Sequence, residues 1–208
     1  MTMPSSETLF TEPAPADRLA RAAAALTANG FAVEILDSAA EARARVGELI
    51  VDGASVFTAA SETLRLSGID EDINAGGRYQ AVKPQVVAMD RVTQADDIRR
   101  LLAGPDVVGS VAALTETGSL VAASASGSQL PAYAGGAAQA IWINGAQKVV
   151  PDLATALRRV DEHALPLESA RAQDVYGLPS AVNRLLVLNA EPHPGRATVL
   201  LLREAIGF

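Results

Sequence analysis

Glu116 stands in the run Thr115-Glu116-Thr117-Gly118, a turn signal between two apolar stretches. Gly118 can take a positive φ and tighten such a turn, and the hydroxyls of Thr115 and Thr117 flank the carboxylate. A carboxylate so placed can serve as a general base, an acyl acceptor or a hydrogen-bond acceptor for a bound ligand. The alternative is a solvated glutamate on an exposed hairpin turn, since turns are polar by default. Ser126, Gly127, Ser128 and Gln129 follow the second apolar stretch. Their backbone N–H groups can cradle a carboxylate or phosphate, or the segment is a plain connector. It matches neither the Gly-Lys-Ser/Thr ending of a P-loop nor the dinucleotide G-x-G-x-x-G.

Lys148 lies in "NGAQKVVPD", between apolar stretches. It can reach a ligand anion, and burial would lower its pKa. It can equally be a strand-edge lysine with its head in water. Asn183, just before the apolar run "RLLVLN", can meet the same pocket or remain exposed. His163 and His193 stand apart, with no second ligand at metal spacing, and no metal site is expected.

These residues need a scaffold, and the periodicity describes one. Residues 16–30 repeat Leu19, Ala22, Ala23 and Leu26 on one helical face and stop at Asn29-Gly30. "FAVEIL" reads as a strand, residues 37–53 as a helix capped by Asp37 or Ser38, and "ASVFTAA" as a buried strand. "SETLRLSG" reads as a helix opened by Ser61, "PQVVAMD" as a strand, and "TQADDIRRLLAGPD" as a helix. "VVGSVAAL" and "SLVAASA" are strands around the Thr115–Gly118 turn. "AIWIN" and "KVV" follow, and Pro151-Asp152 opens a helix. Two strands, "RLLVLN" and "ATVLLLRE", close the chain. Helix and strand alternate early, which favours a parallel sheet. Residues 1–14 are polar and Pro-rich and read as a flexible tail, with one α/β domain over 15–208.

The 208 residues suffice for one well-covered core, and 49% are hydrophobic with only 4% aromatic. Ala, Val and Leu therefore fill the interior, as in α/β layer proteins. A net charge of −7 argues against nucleic-acid binding. The absence of cysteine removes disulfides, thiolate zinc sites and a cluster held by this chain. No apolar run is long enough to span a bilayer, and no secretory leader pattern opens the sequence, so a cytoplasmic protein is expected. A mean hydropathy of +0.19 hints at an apolar patch and self-association.

Taken in order, "VGSVAALTETGSLVAASASGSQLPAYAGG", "WINGAQKVVPDLATALRRVDEHALPLE" and "GLPSAVNRLLVLN" resemble the LUD domain, the lactate-utilization protein C family. The shared features are a Thr-Glu-x-Gly turn, a following Gly/Ser segment, and a Lys-Val-Val-Pro-Asp-Leu stretch opening a helix. "ASVFTAASETLRLSGI" resembles the family's earlier strand and helix. The resemblance implies a three-layer α/β/α sandwich related to sugar-phosphate isomerases, CoA transferases and formyltetrahydrofolate cyclo-ligase. In CoA transferases the glutamate of a Ser-Glu-x-Gly turn is the acyl nucleophile, and Thr115–Gly118 is similar. One fold hosts many activities, so this remains a likeness of site.

The typical family segment Gly-Pro-Ser-x-Thr-Ala-Asp-Ile-Glu is here "GLPSAVNRL", without the acidic residues, which marks a divergent branch. The resemblance implies a role in oxidising L-lactate to pyruvate, with a small carboxylate, acyl or cofactor ligand and iron–sulfur partner proteins. Alternatives are an independent acyl or CoA transferase, a cyclo-ligase-like enzyme, or a non-catalytic assembly subunit. The residues name no cofactor. The expected site joins Glu116 as acceptor or base, Ser126, Ser128 and Gln129 as anion donors, and Lys148 as countercharge.

Overall fold

Along Ala197–Leu202 every residue is buried, Val199 and Leu201 toward one apolar cluster and Leu200 and Leu202 toward another. A strand with both faces covered requires layers on each side of its sheet. The computed structural model describes residues 10–208 and supplies both layers.

In chain order the elements are helix α1 (Ala16–Ala28), strand β1 (Ala32–Leu36), α2 (Ala39–Leu49) and β2 (Ser55–Thr58). Next come α3 (Glu62–Ser67), α4 (Ile69–Ala75), β3 (Gln80–Ala81), α5 (Val82–Ala88) and α6 (Ala95–Ala103). Strands β4 (Asp106–Gly109), β5 (Ala113–Thr115) and β6 (Leu120–Ser124) precede a single π turn (Ala132–Gly136) and β7 (Ala140–Gly145). A 3-10 turn (Ala146–Lys148) leads to β8 (Val149–Val150), α7 (Leu153–Arg159), a second π turn (Val160–Ala164) and α8 (Leu165–Tyr176). Strands β9 (Arg184–Leu188) and β10 (Ala197–Leu202) finish the fold.

Six strands form a fully parallel sheet in the order β1-β10-β7-β4-β2-β3. Leu19 and Leu26 of α1 and Val82 of α5 cover one face with Trp142 and Val107. Ala42 and Val46 of α2, Leu64 of α3, and Ile69 and Ile73 of α4 cover the other with Ile141 and Ile143. The result is a three-layer α/β/α fold. Caps match the local sequence: Ser38, Ser61 and Asp152 each accept a backbone N–H at the start of α2, α3 and α7.

A second sheet, β8-β5-β6-β9, continues from the carboxyl ends of β4 and β7. Its outer cluster joins Ala113, Val121 and Val150 to Ala156 of α7, to Val160, and to Phe10. Phe10 is buried and the Ala14 N–H donates to Ala146 O, so the chain is anchored from residue 10. The flexible tail expected over 1–14 thus holds for neither Phe10 nor Ala14, and its first nine residues lie outside the described ones.

Two local expectations differ from the structure. "PQVVAMD" belongs largely to helix α5. Pro84 falls in its first turn, where a missing N–H breaks no helical bond, and Val82 and Val86, four apart, pack on the core. "VVGSVAAL" is two strands in two sheets. The Val111 N–H donates to the Asn144 side chain at 2.9 Å instead of to a neighbouring strand, and the chain turns out of the main sheet there.

Candidate functional site

The Thr115–Gly118 turn packs against α1. Glu116 Oε1 accepts from Arg18 Nε at 2.5 Å and Oε2 from Arg21 Nε at 2.9 Å, and its side chain is 15% exposed. Burial opposes the charged form, but the two arginines outweigh it and hold the carboxyl below its ordinary value. Thr115 Oγ1 accepts from Ser119 N–H at 2.9 Å and lies 2.8 Å from Thr117 Oγ1, so both hydroxyls serve the turn. Gly118 has φ +87°, and a Cβ there would lie 2.7 Å from the Ala25 backbone. Asn29 closes the contact by donating to Gly118 O at 2.9 Å. Both carboxylate oxygens are thus taken up by charge-assisted hydrogen bonds.

The 126–129 loop carries several hydrogen bonds of its own. Gly127 N–H donates to Ser124 Oγ at 2.8 Å, and Ser128 N–H to Ser126 Oγ at 3.3 Å. Gln129 Oε1 accepts from Ser124 Oγ at 3.0 Å and from Ser128 Oγ at 3.4 Å, while its amide reaches Ala123 O. Asn183 and Arg184 both donate to Ala125 O at 3.1 Å and fasten this loop to the start of β9.

Lys148 is 1% exposed. Its Nζ donates to Thr63 Oγ1 at 3.0 Å and has no other partner among the described residues. Thr63 belongs to α3, which follows β2, and Lys148 follows β7. The pair therefore bridges the carboxyl ends of two strands of the parallel sheet. Nearby, Ser61 Oγ lies 2.7 Å from Ser110 Oγ, just beyond the ends of β2 and β4. The fully buried Asn144, at the end of β7, has an amide nitrogen without a partner among the described residues. Open parallel sheets bind ligands in this position, outside the carboxyl ends of their strands.

The electrostatics there are one-sided. Arg159 is fully buried and, among the described residues, donates only to backbone carbonyls: Gln147 O at 3.3 Å, Phe10 O at 3.5 Å, and Ala112 O. Burial lowers its pKa to about 10. Burial, then the Arg159 charge, pushes the Lys148 ammonium well below its ordinary value. Burial, then Arg159 and Lys148, lowers His163 to about 4. Neither Lys148 nor Arg159 meets a carboxylate among the described residues.

The six-stranded parallel sheet, the hairpin turn and the Lys148 corner now stand together, and the LUD domain family model matches residues 19–182. The chain belongs to the LUD domain family. A crystal structure of a DUF162 family protein from Deinococcus radiodurans is similar with a TM-score of 0.56 and 14% identity, covering 90% of this chain and 97% of that one. At that identity the likeness speaks for the fold alone. No curated protein matches the chain.

Within this LUD domain the residues singled out from the sequence fall into three contact sets. Thr115–Gly118 sits on α1, Ser126–Gln129 with Asn183 on the β9 side, and Lys148 on α3. No hydrogen bond or ion pair joins the side chains of Glu116, Gln129 and Lys148 among the described residues. Arg18, Arg21, Thr63 and Arg159 carried no sequence signal of their own, since arginines and polar residues on helices are usually solvated, and Asn144 is one polar residue within an apolar strand. The C-terminal segment covers the Lys148 corner: Gln147 Nε2 donates to Ile206 O and Gly207 O at 2.9 Å each, and Thr63 Oγ1 to Ile206 O at 3.3 Å. A groove of about 930 Å³ lies elsewhere, between α2 and α4, crossed by the Arg43–Asp72 ion pair. It brings no comparable buried polar set together.

Proposed function

We propose that this LUD domain serves lactate utilization by binding a small organic anion, such as a 2-hydroxy or 2-oxo carboxylate, at the carboxyl ends of β2, β4 and β7. Lys148 supplies the charge, and Thr63 orients its amine. The observation that carries this reading is a buried lysine that has, among the described residues, one hydroxyl partner and no counterion, at the place where open parallel sheets take ligands. Burial of an amine favours its neutral form, and an arriving carboxylate favours the protonated one. Binding then favours proton uptake by the amine, and affinity weakens as pH rises. Glu116 acts in this reading as a positioning residue that holds the hairpin against α1. The Ser126–Gln129 loop fixes the neighbouring end of β6.

The test is isothermal titration of L-lactate, pyruvate, coenzyme A and folates into wild type and Lys148→Met, at about pH 6 and about pH 8. The expected result is binding of a small carboxylate that is tighter at the lower pH and lost in Lys148→Met. Equal binding by wild type and variant, or no heat from any of the four, overturns the proposal.

A further inference from the structure

The chain has two lysines, and their surroundings are opposite. Lys83 of α5 is partly exposed, and its Nζ pairs with the Asp70 carboxylate at 2.8 Å. A salt-bridged ammonium has no lone pair to offer. Lys148 is buried and meets no carboxylate among the described residues. Its one hydrogen-bond partner among them, Thr63 Oγ1, directs its own proton to Ile206 O at 3.3 Å. A hydroxyl has a single proton to give, so Thr63 accepts from Lys148 Nζ, at 3.0 Å. Among the described residues no donor meets the lone pair of the amine. Burial, then the Arg159 guanidinium, favours the neutral, nucleophilic form.

We infer that Lys148 is the nucleophile that joins a 2-oxo carboxylate to this chain as an imine. That step rests on the small-anion reading of the corner, and it narrows the covalently held ligand to an acid with a carbonyl group. The Nζ lone pair adds to the carbonyl carbon, and the carbonyl π pair moves to oxygen. That oxygen then leaves as water with both protons of the amine, and C=N replaces C=O. No oxidant or reductant is consumed. The imine nitrogen takes up a proton from solvent, so a positive charge again stands beside the ligand carboxylate. A 2-hydroxy acid has no carbonyl carbon to attack and is held by charge alone. The segment after β10 covers this corner through Gln147 and Thr63, whose side chains hold Ile206 and Gly207, and it parts to admit the acid.

The full chain is incubated with pyruvate and sodium borohydride, which reduces an imine to a stable secondary amine, and its peptides are read by mass spectrometry. The peptide holding Lys148 is expected to gain the mass of one pyruvic acid less one oxygen atom, with no gain at Lys83. L-lactate in place of pyruvate, or Lys148→Arg with pyruvate, is expected to give no adduct. The comparison of the two lysines within wild type stands even where Lys148→Arg fails to fold. Titration of pyruvate into wild type separates the covalent step from binding. Pyruvate that binds yet leaves no adduct on Lys148 overturns the imine alone, and the absence of both binding and adduct overturns the small-anion site with it. Equal labelling of Lys83 and Lys148 also overturns the imine, because any accessible amine would then react.

Discussion

Arg18 Nε lies 2.5 Å from Glu116 Oε1, which ties the first helix to a hairpin 98 residues further along the chain. Arg21 takes the other oxygen, so the carboxylate clasps the turn to the helix. Glu116→Gln removes the charge and keeps the shape. The Glu116 carboxyl is held below its ordinary value, so its contribution to stability is present above the unfolded pKa and lost as pH falls through the folded one. The variant is therefore less stable than wild type at neutral pH, and the two converge in acid, as denaturant titrations at a series of pH values will show. Incubation of wild type with an acyl-CoA is expected to leave no acyl adduct on Glu116 by mass spectrometry.

Glycines 118 and 127 both have positive φ, yet their alanine variants should differ. A Cβ at Gly118 meets the backbone of Ala25 at 2.7 Å, while one at Gly127 meets the flexible Arg184 side chain at 2.8 Å. The unfavourable backbone conformation costs either variant about 1–3 kcal/mol. Gly118→Ala adds a clash that α1 must yield to, so its loss of stability is the larger of the two. Chemical denaturation of both variants measures the difference.

The layers were legible because periodicity reports burial directly. Leu19, Ala22 and Leu26 mark the inner face of α1, and the unbroken apolar run of β10 marks a strand covered on both sides. Where packing overrode local pattern, the reading failed. "PQVVAMD" has the composition of a strand, but Val82 and Val86 meet the core only at helical spacing. The corner around Lys148 was half legible. Its position between apolar strands was plain, but whether its amine faces water depends on Thr63, 85 residues earlier, and on Arg159 beneath it. Arg159 itself sits in "LRRVDEH", next to Arg158, which pairs with Glu162 on the exposed side. Nothing in that run tells the buried arginine from the solvated one.

Arg159 joins three parts of the chain by donating to the carbonyls of Phe10, Ala112 and Gln147. Arg159→Met fills much of the volume and leaves those carbonyls without their donor. Each buried unsatisfied acceptor costs about 1–3 kcal/mol, so the variant loses several kcal/mol or fails to fold. Limited proteolysis near Phe10 gives a second readout, since loss of this donor frees the segment before α1 first.

Lys148→Met should have the opposite effect on stability at neutral pH. The folded state holds this amine with its pKa depressed, whereas the unfolded chain protonates it up to the ordinary value of 10.5. The unfolded state thus binds more protons, and its advantage shrinks as pH rises toward that value. Methionine removes the penalty, so the variant is more stable than wild type near neutrality and the gap narrows in alkali. A buried lysine retained at the expense of stability is what a binding role predicts. A variant less stable than wild type at neutral pH would mark Lys148 as a structural tie to α3 instead.

His163 provides a separate acid signature. Burial, with Arg159 and Lys148 nearby, sets its folded value at about 4, against 6.5 for the ordinary imidazole. Between those two values the unfolded chain takes up a proton that the folded one refuses, so stability falls as pH drops through this window. Most of the window lies above the range where carboxylates protonate, which keeps the effect of Glu116 apart from it. His163→Gln should flatten the stability profile from about pH 6.5 down to about pH 5 and leave the steeper loss below that unchanged. The ring also lies 6.1 Å from that of Phe10, so its proton resonances should report the same titration while the anchored segment stays in place. An imidazole that titrates near 6.5 in the folded protein would mean that the ring is neither desolvated nor within reach of the Arg159 charge.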